Sequence, residues 1–131
     1  MSKIFKVGLI GCGHISETYF RAQEYFNNIR IVKCADINMD AAKKCAIHYN
    51  IEAVTVEKLL KDKEIEIILN LTIPGAHYEV SKMAIENGKH SYAEKPLAIN
   101  FEDGKKIVEL AKEKNLYIGN APDTFLGGGI Q

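Results

Sequence analysis

The stretch Val7-Gly8-Leu9-Ile10-Gly11-Cys12-Gly13-His14-Ile15-Ser16 decides the fold. An apolar run that reads as a buried strand ends in G-x-G-x-x-Ser and passes directly into a helical pattern. Such a turn gathers bare backbone amides and the positive end of a helix at one point, which suits a pyrophosphate. Gly11 is expected to make the tight turn, Gly13 to let phosphates approach the main chain, and Ser16 to stand where a third glycine packs helix on strand. Ile15, Tyr19, Ala22 and Phe26 recur at helical spacing and predict a helix with that stripe inward. A second apolar run closes on Asp36, about 20 residues beyond the glycines, where an acid is expected to accept hydrogen bonds from an adenosine ribose. A purely structural glycine turn followed by an incidental acid is the plainer alternative.

Size and composition bound what surrounds this turn. At 131 residues the chain makes one domain, large enough to bury roughly two-thirds of its unfolded surface. Lys plus Arg and Asp plus Glu both total 17, so no bulk field draws it to nucleic acid or to an anionic membrane, and phosphate recognition must be local. Cys12, Cys34 and Cys45 are an odd set without a C-x-x-C pair, which suits reduced thiols in the cytoplasm. Cys34 and Cys45 read as small core residues. No His, Cys or acid pair shows zinc-site spacing, so no metal is expected. No apolar run approaches a bilayer span, and the N-terminus leads straight into the first strand.

Ile- and Val-rich runs recur with amphipathic stretches between them, the signature of βαβ units around a parallel sheet. Strands are predicted near residues 5–10, 29–35, 52–54, 65–71, 90–93 and 116–118, and helices near 15–26, 40–49, 56–61, 76–87 and 101–114. Asp40 and Asn100 are expected to cap helices and Gly88 to stop one. The fold class is therefore α/β, a doubly wound parallel sheet of Rossmann type with strand order 3-2-1-4-5-6. That order lines the carboxyl ends of strands one, four, five and six along one crevice. Polar and unusual residues gather just after those ends: Asn70, Thr72, Pro74, Gly75 and His77, then Glu94, Lys95 and Pro96, then Asn120, Pro122 and Asp123. Tyr19, Phe20, Tyr25 and Phe26 lie at helical spacing and read as core packing more than as a stacking platform.

Four motifs in this order and spacing, Gly8 to Ser16, Ala35-Asp36-Ile37-Asn38, Asn70-Leu71-Thr72-Ile73-Pro74 with His77, and Glu94-Lys95-Pro96, resemble the nucleotide-binding half of the Gfo/Idh/MocA oxidoreductases. The likeness covers essentially the whole chain. It implies NAD or NADP held by Gly11, Cys12, Gly13, His14, Ile15, Asp36, Ile37, Asn38, Leu71, Thr72, Ile73, Pro74, His77, Glu94 and Lys95. It further implies hydride transfer to or from a sugar- or polyol-like alcohol, with Lys95 matching the family's catalytic lysine. Residues 1–121 then form the nucleotide-binding domain, and residues 122–131 begin the passage into a C-terminal α+β substrate domain that this chain lacks. The chain so reads as a fragment that binds nucleotide without turnover, a natural one-domain protein being the alternative. Its parent would be a homo-oligomer, and apolar residues Phe125, Leu126 and Ile130 would favour self-association of the fragment or disorder of its tail.

Asp36 favours NAD over NADP, because a carboxylate accepts from both ribose hydroxyls and repels an added phosphate. Lys43 and Lys44 stand nearby in the sequence as the opposing feature. Lys95, in an extended position before Pro96, could hydrogen-bond the reacting oxygen or take part in proton transfer; a solvated surface lysine is the alternative. Glu94 is expected near the nicotinamide ribose, or else in an ion pair with a lysine. His77 would hydrogen-bond the cofactor or cap backbone amides at its helix start. Three further readings share some of these motifs: a glycoside hydrolase using NAD for transient oxidation and elimination, a nonenzymatic nucleotide sensor, and a methyltransferase, which Glu94-Lys95-Pro96 argues against.

Overall fold

The computed structural model describes residues 3–121. Residues 122–131, with Phe125, Leu126, Ile130 and the expected passage into a second domain, lie outside the described residues. Six strands, β1 (Phe5–Ile10), β2 (Ile29–Ala35), β3 (Glu52–Ala53), β4 (Ile67–Asn70), β5 (His90–Ala93) and β6 (Ile118–Asn120), form one sheet of order β3-β2-β1-β4-β5-β6. All five pairings are parallel, as the sequence predicts.

Strand alternation sends successive side chains to opposite faces. Val7, Leu9, Ile31 and Leu69 pack with Phe20 of α1 (His14–Ala22) and Cys45 and Ala46 of α2 (Met39–Tyr49). Ile10, Ala35 and Ile68 pack instead with Leu59 and Leu60 of α3 (Val56–Lys61) and Val80 and Ala84 of α4 (His77–Glu86). Ile85 of α4 meets Ile107 and Ala111 of α5 (Phe101–Glu113). Helices thus cover both faces, and every strand points its carboxyl end to the same edge.

Four local expectations change. The first helix stops at Ala22 and becomes a 3-10 turn over Gln23–Tyr25, where the Gln23 side chain accepts the Ile31 amide of β2 at 2.8 Å. Its inward residues are Ser16 and Phe20, Phe20 stacking on Tyr49 with ring centroids 3.8 Å apart, whereas Ile15 and Phe26 are 40% and 55% exposed. Asn38, not Asp40, caps α2, its side chain accepting from the amides of Asp40 and Ala41. The last strand begins at Ile118, because the Leu116 amide is used to close α5 on the Ala111 carbonyl at 2.9 Å. Asn100 caps α5 as expected.

Candidate functional site

At the carboxyl edge the glycine loop leaves β1 and enters α1. Gly11 has φ +104°, and a Cβ there would stand 2.5 Å from the Leu71 carbonyl oxygen. Only glycine meets both conditions. Its amide donates to the Ala35 carbonyl at 2.9 Å, stitching the loop to the end of β2. Gly13 caps α1 without a side chain, and a Cβ there would meet nothing within 4 Å. The main chain at Gly13 therefore borders open space at the start of α1. Ser16 is buried, with its hydroxyl donating to the Gly13 carbonyl at 2.6 Å, so a small residue here lets helix and strand pack closely.

Asp36 follows β2, and both its carboxylate oxygens are placed. One accepts the Cys12 amide and the other the Asn38 amide, each at 2.8 Å. These bonds hold the carboxylate beside the glycine loop. The two motifs, distant in sequence, thus share one corner of the crevice. Around its rim Ile37 is 100% exposed and Ile73 is 75% exposed, branched apolar side chains left in water on the loops after β2 and β4.

Beyond β4 a buried network sets the second loop. Asn70 is fully buried; its amide donates to the His77 carbonyl and the Ser81 hydroxyl, each at 2.9 Å. Its side-chain oxygen accepts from the Thr72 hydroxyl at 2.6 Å. His77 is also buried, with Nδ1 2.5 Å from the Pro96 carbonyl oxygen and Nε2 2.6 Å from that of Thr72. Its ring meets main-chain carbonyls and not the helix-start amides, capping of which is one of the two roles its position offers. It lies beneath the crevice and ties the β4 loop, which carries Thr72, Ile73 and Pro74, to the β5 loop. Leu71 is likewise buried, its side chain in the core and its carbonyl against Gly11.

The β5 loop brings Glu94 and Lys95. Glu94 Oε2 accepts from the Tyr19 hydroxyl at 2.6 Å, while its amide donates to the Asn70 carbonyl at 3.0 Å. Asn120 of β6 donates to the carbonyls of Ala93 and Glu94 at 3.1 and 3.2 Å. Burial, helped by the bond to Glu94, pushes the Tyr19 phenol above its ordinary range. Lys95 is exposed and precedes Pro96 across a cis peptide bond. Among the described residues, no ion pair involves Asp36, Glu94 or Lys95. The lysine partner considered for Glu94 is thus replaced by a tyrosine.

Sequence reading missed the supporting residues. Tyr19 packs against the core as its spacing predicts, and its hydroxyl also crosses from α1 to orient Glu94. Asn70 was noted as polar without a role, although an amide side chain ending an apolar strand run is a signal in itself, since such a group is buried only when fully bonded.

The chain matches the family model described as oxidoreductase family, NAD-binding Rossmann fold, over residues 5–121. It belongs to the Gfo/Idh/MocA family. It is 29% identical over 114 residues to an inositol 2-dehydrogenase/D-chiro-inositol 3-dehydrogenase of Lactiplantibacillus plantarum, covering 84% of this chain and 33% of that one. A trans-1,2-dihydrobenzene-1,2-diol dehydrogenase of Xenopus tropicalis is 29% identical over 120 residues, covering 88% of this chain and 36% of its own. Among solved structures, a Synechocystis biliverdin reductase in complex with biliverdin and NADP+ superposes with a TM-score of 0.87 at 26% identity, covering 95% of this chain and 40% of that one. The Gfo/Idh/MocA chain spans about a fifth to a third of the length of the curated relatives it matches. It is thus an NAD(P)-binding oxidoreductase domain of that family, related to dehydrogenases. No helix among its described residues is long and apolar enough to cross a membrane.

Proposed function

We propose that this domain binds NAD across the carboxyl edge and serves an oxidoreductase acting on a sugar- or polyol-like alcohol. The observation that carries the reading is the Asp36 carboxylate, held by the Cys12 amide of the glycine loop and paired with no cation among the described residues. A carboxylate so placed suits a ribose diol beside the diphosphate and opposes a phosphate on that ribose, which favours NAD over NADP. The open space at Gly13 suits the diphosphate at the helix start. Exposed Ile37 and Ile73 offer apolar contact for the adenine. Glu94, oriented by Tyr19, is assigned to the nicotinamide ribose.

When bound, nicotinamide supplies the acceptor or donor of a hydride. Lys95 is assigned to the reacting oxygen of the substrate, where its ammonium donates a hydrogen bond and stabilises the negative charge that develops on that oxygen. The substrate class is drawn from the relatives, among them an inositol dehydrogenase. A substrate domain beyond residue 121, a homo-oligomeric parent and a cytoplasmic setting belong to the same reading; free thiols at Cys12, Cys34 and Cys45 fit a reducing compartment.

Fluorescence titration of the chain with NADH and NADPH tests it. Saturable binding with NADH the tighter ligand is expected. No binding of either, or tighter NADPH, would overturn it.

A further inference from the structure

Three sulfurs far apart in sequence meet behind the glycine loop. Cys12 lies between Gly11 and Gly13, Cys34 near the end of β2, and Cys45 on the inward side of α2; their Sγ atoms all lie within 4.8 Å of one another. Cys34 is 0% and Cys45 8% exposed, while Cys12 is half-buried. Cys12 and Cys45 open onto a surface groove also lined by Gly13, His14, Lys44 and His48. We propose that Cys12, Cys34 and Cys45 form a binding site for a thiophilic divalent cation, with Zn(II) as the representative ion.

The geometry is close to what such an ion requires. Sulfurs held at about 2.3 Å from one zinc stand roughly 3.8 to 4.0 Å apart, so the triplet closes on an ion with small side-chain rotations. Its framework is fixed in advance by main-chain bonds. The Gly11 amide donates to Ala35 at 2.9 Å and the Val54 amide to Cys34 at 2.9 Å, and the Cys12 amide is held by Asp36. The competing interactions are weak, since the Cys12 thiol donates to the Ala35 carbonyl across 3.5 Å and the Cys34 thiol to the Ala42 carbonyl across 3.4 Å. On ligation each thiol releases its proton to solvent, so one divalent cation and three thiols give a site of net charge minus one and three protons. The start of α1 and Lys44, both beside the groove, favour that negative charge, while Glu17 on the same groove and the Asp36 carboxylate on the Cys12 amide oppose it. An all-sulfur donor set selects soft or borderline ions over magnesium or calcium.

Because Cys12 belongs to the loop assigned to the diphosphate, an ion on its sulfur is expected to weaken dinucleotide binding. That consequence rests on the NAD reading; the metal site does not.

Titration of the reduced chain with Co(II), followed by displacement with Zn(II), reads the site directly. One equivalent should bind with thiolate-to-cobalt charge-transfer absorption, and Zn(II) affinity should fall at least tenfold in Cys45→Ala. If that variant fails to fold, Cys12→Ser, on the half-buried loop, carries the same expectation. Absence of the absorption, binding unchanged in both variants, or conversion of two thiols to a disulfide by peroxide in a chain that takes up no metal would overturn the proposal. NADH titration with and without one equivalent of Zn(II) should show several-fold weaker binding with zinc. Equal NADH binding would remove the antagonism, and no NADH binding at all would count against the NAD reading while the cobalt signal stands.

Discussion

The two edges of this sheet treat charge in opposite ways. Toward the amino edge the basic groups of the strands are matched: Lys3 with Glu66, Lys6 with Glu64, and Lys33 with Asp62, Glu52 and Glu64. Lys89, 4% exposed, donates to the carbonyls of Asp62 and Ile65 at 2.6 and 2.8 Å. At the carboxyl edge Asp36, Glu94 and Lys95 have no ionic partner among the described residues, and Ile37 and Ile73 stand in water. The first edge is finished by the fold itself, whereas the second leaves charge and apolar surface for something else to complete. Asp36 and Glu94 are held there by amide and hydroxyl donors in place of cations.

If this contrast is real, substitutions at the two edges should separate stability from binding. Gly11→Ala is the extreme case, since it combines a positive φ with a main-chain clash. It should cost about 3 kcal/mol of stability in urea unfolding and abolish NADH binding. Lys89→Met removes the only donor in that side chain and leaves the buried Ile65 carbonyl without its partner, the Asp62 carbonyl keeping the Ile65 amide. About 2 to 3 kcal/mol of stability should be lost, with NADH affinity unchanged in the folded variant. Asp36→Ala should do the reverse, weakening NADH by about 1.5 to 3 kcal/mol in calorimetry while lowering stability by about 1 kcal/mol. Unchanged affinity would remove Asp36 from the site. Lys33→Ala should cost about 1 kcal/mol in stability and nothing in binding.

The smallest effect is a pH dependence. The Tyr19 phenol lies above its ordinary value of 10.0 in the folded chain, through burial and its bond to Glu94. Between pH 10 and the raised value the folded state keeps a proton that the unfolded state has released. The stabilisation is therefore complete below pH 10 and lost as pH rises further. Thermal unfolding should decline above pH 10 less steeply in Tyr19→Phe than in the parent chain.

Sequence by itself determined the sheet order, the number of strands and helices, the glycine turn and the acid after β2. Each is written in local terms: apolar runs with a set period, and turn residues that one backbone conformation requires. It placed the crevice as well, because parallel strands joined by right-handed crossovers leave no other edge for the polar residues that follow them. Tertiary structure alone decided that Phe20 rather than Phe26 turns inward, since Gln23 is drawn to the Ile31 amide and ends the helix. It also decided that His77 binds two loops together from below, that Tyr19 reaches Glu94, and that three cysteines on separate elements share one small volume. These contacts join residues on different elements, and their partners are chosen by packing and by the need to satisfy buried polar groups, which no local spacing records.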